Sequence, residues 1–301
     1  MVQVQITAWS AENQNPVSMD THSVEGKSMK ISIWYFSGTG NTWFAAEEIA
    51  AALRSRSAET EVYSIEQCSD VQVESSLASS DIIGFGYPVY GSDLPLIMKK
   101  FLQALPRRTN SVPVFLFCTQ WLFSGDGTWA AMEFLPQGYE VRWSSHFRMP
   151  NNICINLIRL PFTNDSEKIR NAVKKNIPAI HRFAEHIIQN KPKKRGFTRI
   201  STVLGQMQRS PFRRLYDRLR DDIGIDDSRC IHCGLCAQIC PVSNLVSDEN
   251  GSVAARGACI LCFRCYNFCP RQAITYMGRS HILSRGVPYR GPAGYNPAGK
   301  L

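Results

Sequence analysis

Nowhere in its 301 residues does the chain approach the roughly 18 consecutive apolar residues that a membrane span needs. Its N-terminus lacks a basic segment followed by an apolar run, so no secretory signal is expected. No Lys follows its glycine-rich loop to grip a nucleoside triphosphate, and that loop is not the G-x-G-x-x-G of a dinucleotide site. Histidine is scarce, and His181 and His186, five apart, do not share a helix face, so no histidine metal site follows. Acidic residues are outnumbered 25 to 34. The excess is local: residues 191–220 hold ten Lys or Arg against one acid, Asp217. Such an excess suits nucleic acid, an anionic surface or an acidic protein and does not choose among them.

Cysteine is what the chain does have. Eight of eleven fall between Cys230 and Cys269, at spacings that suit metal ligation better than disulfides and imply a reducing compartment, so a cytoplasmic location is expected. Cys68, Cys118 and Cys154 are scattered and read as ordinary thiols.

The length predicts about two domains. Residues 1–28 are polar and aperiodic and read as a loose arm, with Met29 an alternative start. Strand-like runs at 30–36, 61–65, 81–86, 112–118 and 140–147 alternate with helical stretches at 42–53, 94–105 and 128–134. That alternation predicts an α/β fold with a parallel sheet covered on both faces. Residues 166–189 read as one amphipathic helix kinked by Pro178, and 191–222 as a basic connector. The expected organisation is an arm (1–28), an α/β domain (29–150), a helical and basic connector (151–222), a cysteine domain (223–278) and an extended tail (279–301).

The cysteines form two complete C-x2-C-x2-C-x3-C-P runs, Cys230, Cys233, Cys236, Cys240-Pro241 and Cys259, Cys262, Cys265, Cys269-Pro270. In such runs three closely spaced thiolates wrap one [4Fe–4S] cubane and the fourth reaches the other. One cluster is therefore expected on Cys230, Cys233, Cys236 and Cys269, and a second on Cys259, Cys262, Cys265 and Cys240. Zinc would leave the third Cys of each triplet unexplained. Ile231, Leu235, Ile239, Ile260, Leu261 and Phe263 should limit water around the clusters. Tyr266 and Phe268 are read as packing and His232 as a loop residue. This part resembles the bacterial two-cluster ferredoxins.

The first strand ends in Ser37-Gly38-Thr39-Gly40-Asn41-Thr42, a turn whose amides and hydroxyls suit a phosphate at a helix N-terminus. In this setting the turn resembles the phosphate loop of flavodoxins over residues 30–148. The resemblance implies a flavodoxin-like doubly wound sheet of order 2-1-3-4-5, with FMN at the C-terminal strand ends. It also implies that Tyr87, Pro88, Val89, Tyr90 and Gly91 flank the flavin ring, with Tyr87 or Tyr90 offering an aromatic face. The loop with Thr119, Gln120, Trp121, Phe123, Gly125, Asp126 and Gly127 would cover the other side, with Trp121 or Phe123 stacking. The acidic surface of short-chain flavodoxins is missing.

Both halves together resemble the fused flavodoxin–ferredoxin proteins of anaerobic bacteria and archaea. The resemblance implies electron transfer between FMN and two [4Fe–4S] clusters, serving a partner oxidoreductase. Lys193-Lys194-Arg195 reads as a solvated linker or as a docking patch for an acidic redox partner. Neither nucleic acid nor a membrane span is expected. The alternatives are a flavin-dependent reductase of a small molecule, fed by the clusters, and a docking module with an empty flavodoxin fold.

Overall fold

The computed structural model describes residues 28–152, 166–280 and 288–298. The N-terminal arm, Cys154 and parts of the tail lie outside these residues.

Five strands build the first sheet in the expected order. β1 (Lys30–Tyr35) is followed by α1 (Asn41–Arg54), β2 (Glu59–Ser64), α2 (Asp70–Ser79) and β3 (Ile82–Pro88). Then come α3 (Leu96–Ala104), β4 (Val112–Gln120), a 3-10 turn (Trp129–Glu133) and β5 (Tyr139–Arg148). All pairs are parallel, in the order β2-β1-β3-β4-β5, and a sixth strand extends the edge. The central strands are buried on both faces, which explains their unbroken apolar runs.

One face is covered by α1 and by a helix further along, with Ala45, Ile49 and Leu53 packed on Ile180, Phe183 and Ile187. On the other, Leu77, Met98 and Leu102 pack on Trp34, Phe85 and Leu116. α2 carries no strong apolar period, only Ser76 and Leu77 being buried, so the sequence holds little signal for it.

The stretch expected as one kinked helix is two, α4 (Ser166–Lys174) and α5 (Ile177–Ile188), because Pro178 stands in the first turn of α5. There its missing N–H breaks no bond. The expected basic connector is a further correction. Lys193–Lys194 is β6, pairing with Trp143 and Ser144 at the sheet edge. Arg199–Arg220 is α6, a 22-residue helix with Pro211 inside it. Its inward row is Gly205, Arg209, Phe212, Tyr216 and Leu219, and the polar Gly and Arg in that row hide its period.

The cysteine domain follows: β7 (Ile223–Ile225), α7 (Leu235–Gln238), β8 (Leu245–Ser247), β9 (Val253–Ala255), α8 (Arg264–Phe268) and β10 (Ile274–Tyr276). β10 pairs antiparallel with β7 and β8 with β9. The two cysteine runs are a structural repeat. His232 and Leu261, Gly234 and Phe263, and Ser243 and Gln272 occupy matching positions, all with φ between 50° and 67°. The two domains share a core, since Ile260 and Cys262 pack into the same cluster as Trp34, Phe36 and Tyr87.

Among the described residues, no helix is long and apolar enough to cross a membrane.

Candidate functional site

A cavity of about 400 Å³ opens at the C-terminal ends of β1, β3 and β4. From the turn after β1 come Ser37, Gly38, Thr39, Asn41 and Thr42, from the end of β3 and the loop after it Pro88, Val89, Tyr90 and Gly91, and from the end of β4 Thr119, Gln120 and Trp121. Each was expected to hold the cofactor. The loop is rigidly held. Gly40 N–H donates to Ser37 Oγ (3.0 Å), Thr42 and Thr119 share a hydroxyl bond (2.7 Å), and Asn152 Nδ2 donates to Thr39 Oγ1 (2.9 Å). Gly40 caps α1 at φ 94°, so the helix's unpaired amides face the turn.

Other expected residues stand elsewhere. Tyr87 is buried under the site, its hydroxyl donating to the Gly127 carbonyl (3.0 Å), so it presents no face to the cavity. Phe123 is 48% exposed outside it. Gly125 packs against the α6 backbone at Ser201 and Gly205, and Asp126 is paired with Arg209. Gly127 packs on Val89 and Ser124. Gly40 is backed by the ring of Tyr295, from the tail.

The far wall was not foreseen. It consists of Phe212 and Leu219 of α6 with Leu261, Phe263, Tyr276 and Met277 of the cysteine domain. Met149, Pro150, Asn151 and Asn152 complete the lining after β5. The rule that α/β ligands gather at strand ends points to that last group; nothing in the sequence points to the wall.

α6 is clamped in place by charge. Arg209 donates to the Ser92 carbonyl (3.1 and 3.0 Å), and Arg213 and Lys99 both bond Asp93. Burial alone would raise the Asp93 carboxyl, but these two cations outweigh it and hold it below its usual range. In the loop after β4, Thr128 Oγ1 bonds the buried His146 of β5 (2.8 Å). Burial, then the Arg195 charge, lowers His146 to about 3, so it stays neutral.

The eight cysteines fall into two groups, each lining a cavity of its own. Cys230, Cys233, Cys236 and Cys269 line one cavity, and Cys240, Cys259, Cys262 and Cys265 another. Backbone amides aim at the sulfurs in matched fashion. His232 and Leu261 donate to Cys230 and Cys259 Sγ (3.4 and 3.3 Å), and Asn244 and Ala273 to Cys240 and Cys269 Sγ (3.2 Å each). Burial pushes Cys236 and Cys259 up to about 11 and Cys262 to about 12. The positive charge of a bound metal would offset that cost and favour the thiolates. Among the described residues no three His, Cys, Asp or Glu converge on a single ion, and a four-iron cube spreads its thiolates wider than one ion does. The second set is the buried one, with Cys259, Cys262 and Cys265 inside, whereas Cys233 is exposed.

A flavin fits the first site on two observations: its size lies in the ordinary range for such ligands, and its walls are mostly apolar.

Comparison with known proteins agrees. The flavodoxin domain family matches residues 32–141 and the 4Fe-4S dicluster domain family residues 222–270. Among solved structures, a flavodoxin from the domain Archaea is 16% identical and covers 53% of this chain and 99% of its own (TM-score 0.35). The two-electron reduced flavodoxin of Megasphaera elsdenii is 29% identical, covering 38% and 84% (TM-score 0.33). A flavodoxin of Streptococcus pneumonia TIGR4 is 16% identical, covering 54% and 99% (TM-score 0.38). No curated protein matches. Fold and sites define a flavin and iron–sulfur redox protein. Its chain joins a flavodoxin domain to a 4Fe-4S dicluster domain, the organisation of the fused flavodoxin–ferredoxin proteins.

Proposed function

We propose that the chain is an electron-transfer protein that couples FMN to two [4Fe–4S] clusters and exchanges electrons with a partner oxidoreductase. One observation carries this: Leu261 and Phe263, which flank Cys262, line the same cavity as the phosphate loop. Phe263 also lines the cavity of Cys240, Cys259, Cys262 and Cys265, so the flavin site and the buried cysteine set share a wall. FMN bound there supplies an exchange between two-electron and one-electron chemistry, which a cubane alone does not. Ser37 to Thr42 hold the phosphate, Pro88 to Gly91 and Thr119 to Trp121 border the ring, and the α6 and cysteine-domain wall keeps water away.

The first cysteine set faces outward, with Ile231 52% exposed beside it, and serves as the port for the partner. Lys193 and Lys194 are exposed on the sheet edge and favour an acidic partner. A self-contained reductase has less support, because protein rather than solvent closes the far side of the cavity. The flavin domain is taken as residues 29–150 and the cluster domain as 223–278. The thiolate-rich site suits a reducing, cytoplasmic setting.

Iron, sulfide and flavin content of anaerobically purified protein tests the reading, with about eight iron atoms and one FMN per chain expected. Stepwise reduction should then show flavin and cluster absorbance equilibrating; two centres that never equilibrate refute the coupling.

A further inference from the structure

Arg264 stands between Cys262 and Cys265, yet its side chain serves the other domain. It is 3% exposed. Nε donates to the Gly38 carbonyl (3.0 Å) and one Nη to the Ser37 carbonyl (2.7 Å). The remaining bonds go to Glu66 (2.8 and 2.6 Å) and to the Ile239 carbonyl (3.0 Å), next to Cys240. All five N–H donors of the guanidinium are thus used. The matching position of the first repeat is Leu235, so the ferredoxin pattern does not demand an arginine here.

A trans peptide is planar, and its N–H points opposite to its C=O. Holding the Ser37 and Gly38 carbonyls toward Arg264 turns the N–H groups of Gly38 and Thr39 the other way. Arg264 does not line the cavity, whereas Ser37, Gly38 and Thr39 do. Donation to a carbonyl also polarises the amide and strengthens its N–H as a donor. We propose that Arg264 is the positioning residue of the phosphate loop, aiming two backbone amides at the FMN phosphate from within the ligand loop of the buried cluster. Tyr295, whose hydroxyl donates to the Ser37 carbonyl (3.0 Å), assists from the tail. Because cluster ligation holds the 259–265 loop, phosphate binding and cluster retention are linked, and linkage acts equally in both directions.

The inference rests on the FMN reading, and riboflavin, which lacks the phosphate, separates the two. Dissociation constants of FMN and riboflavin are measured by fluorescence quenching on flavin-stripped, cluster-loaded full-length protein. Arg264→Lys keeps the charge but loses the fork that holds both carbonyls. It should lower the preference for FMN over riboflavin by about tenfold or more, with iron content unchanged and riboflavin affinity nearly so. Equal loss for both flavins, or no loss, overturns the proposal; a wild-type protein that takes neither flavin overturns the FMN reading beneath it. Should the lysine variant not assemble, wild-type protein decides. Saturating FMN should slow iron release to a chelator more than saturating riboflavin does, and equal protection overturns the proposal.

Discussion

Arg209 on α6 and Asp126 in the loop after β4 form an ion pair whose side chains are 1% and 0% exposed. The pair welds α6 to the flavodoxin domain at the point where the next turn sends Phe212 against Gly91 and into the cavity wall. Breaking a buried pair from one side strands the other charge, at about 3–5 kcal/mol. Arg209→Met should therefore destabilise the protein by that order, read as a lowered urea midpoint under anaerobic conditions. It should also weaken flavin binding through the displaced wall, whereas exposed Arg218→Met should do neither. A variant as stable as the parent would mean that α6 is held by its apolar contacts alone.

His146 gives the fold a pH slope near neutrality. Its folded value of about 3 lies far below the ordinary value of about 6.5. Below about 6.5 the unfolded chain takes up a proton that the folded chain refuses, so stability falls as pH falls. From pH 7.5 to 5.5 the loss from this one group should be about 1.4 kcal/mol. His146→Gln should flatten that part of the pH profile of the urea midpoint, and an unchanged slope would remove His146 as its source.

Gly40 is tied to its residue type twice over. At φ 94° a side chain is strained, and a Cβ there would lie 2.6 Å from the ring of Tyr295. The backbone strain alone costs about 1–2 kcal/mol, and the ring or the loop must also shift. Gly40→Ala should thus lower thermal stability and weaken FMN binding together. Pairing it with Tyr295→Ala should recover part of the stability but not the part due to φ, which differential scanning of both variants would separate.

How much of this was legible in sequence follows from where each signal resides. The apolar runs of β1, β3 and β4 and the Ser37–Thr42 turn are local, as is the spacing of the cysteines, so the sheet, the turn and the grouping of the cysteines are legible. α6 was not, because its inward row contains Gly205 and Arg209, which count as polar in any periodicity yet are buried by a partner from another part of the chain. Arg264 is a lone charge within a cysteine run, and only the folded pair of domains shows that it reaches Ser37 and Gly38 across more than two hundred positions. Tyr87 misled for a similar reason: its place in the loop suggested a ring contact, but the alternation of β3 turns it inward.

The crossed cysteine sets yield a prediction that contradicts sequence proximity. Cys240 follows the first triplet but lies in the cavity of Cys259, Cys262 and Cys265, and Cys269 follows the second triplet but lies with Cys230, Cys233 and Cys236. Substituting Cys240 should therefore damage the buried cluster beside the flavin, and substituting Cys269 the exposed one. In Cys269→Ala protein, the flavin should still exchange electrons with the remaining cluster during reductive titration, while transfer to an external acceptor slows. Cys240→Ala should do the opposite, uncoupling the flavin while leaving the outer cluster's paramagnetic signal in place. If each substitution instead erased the signal of the cluster nearest in sequence, the interleaving would be wrong, and with it the order of centres from flavin to surface.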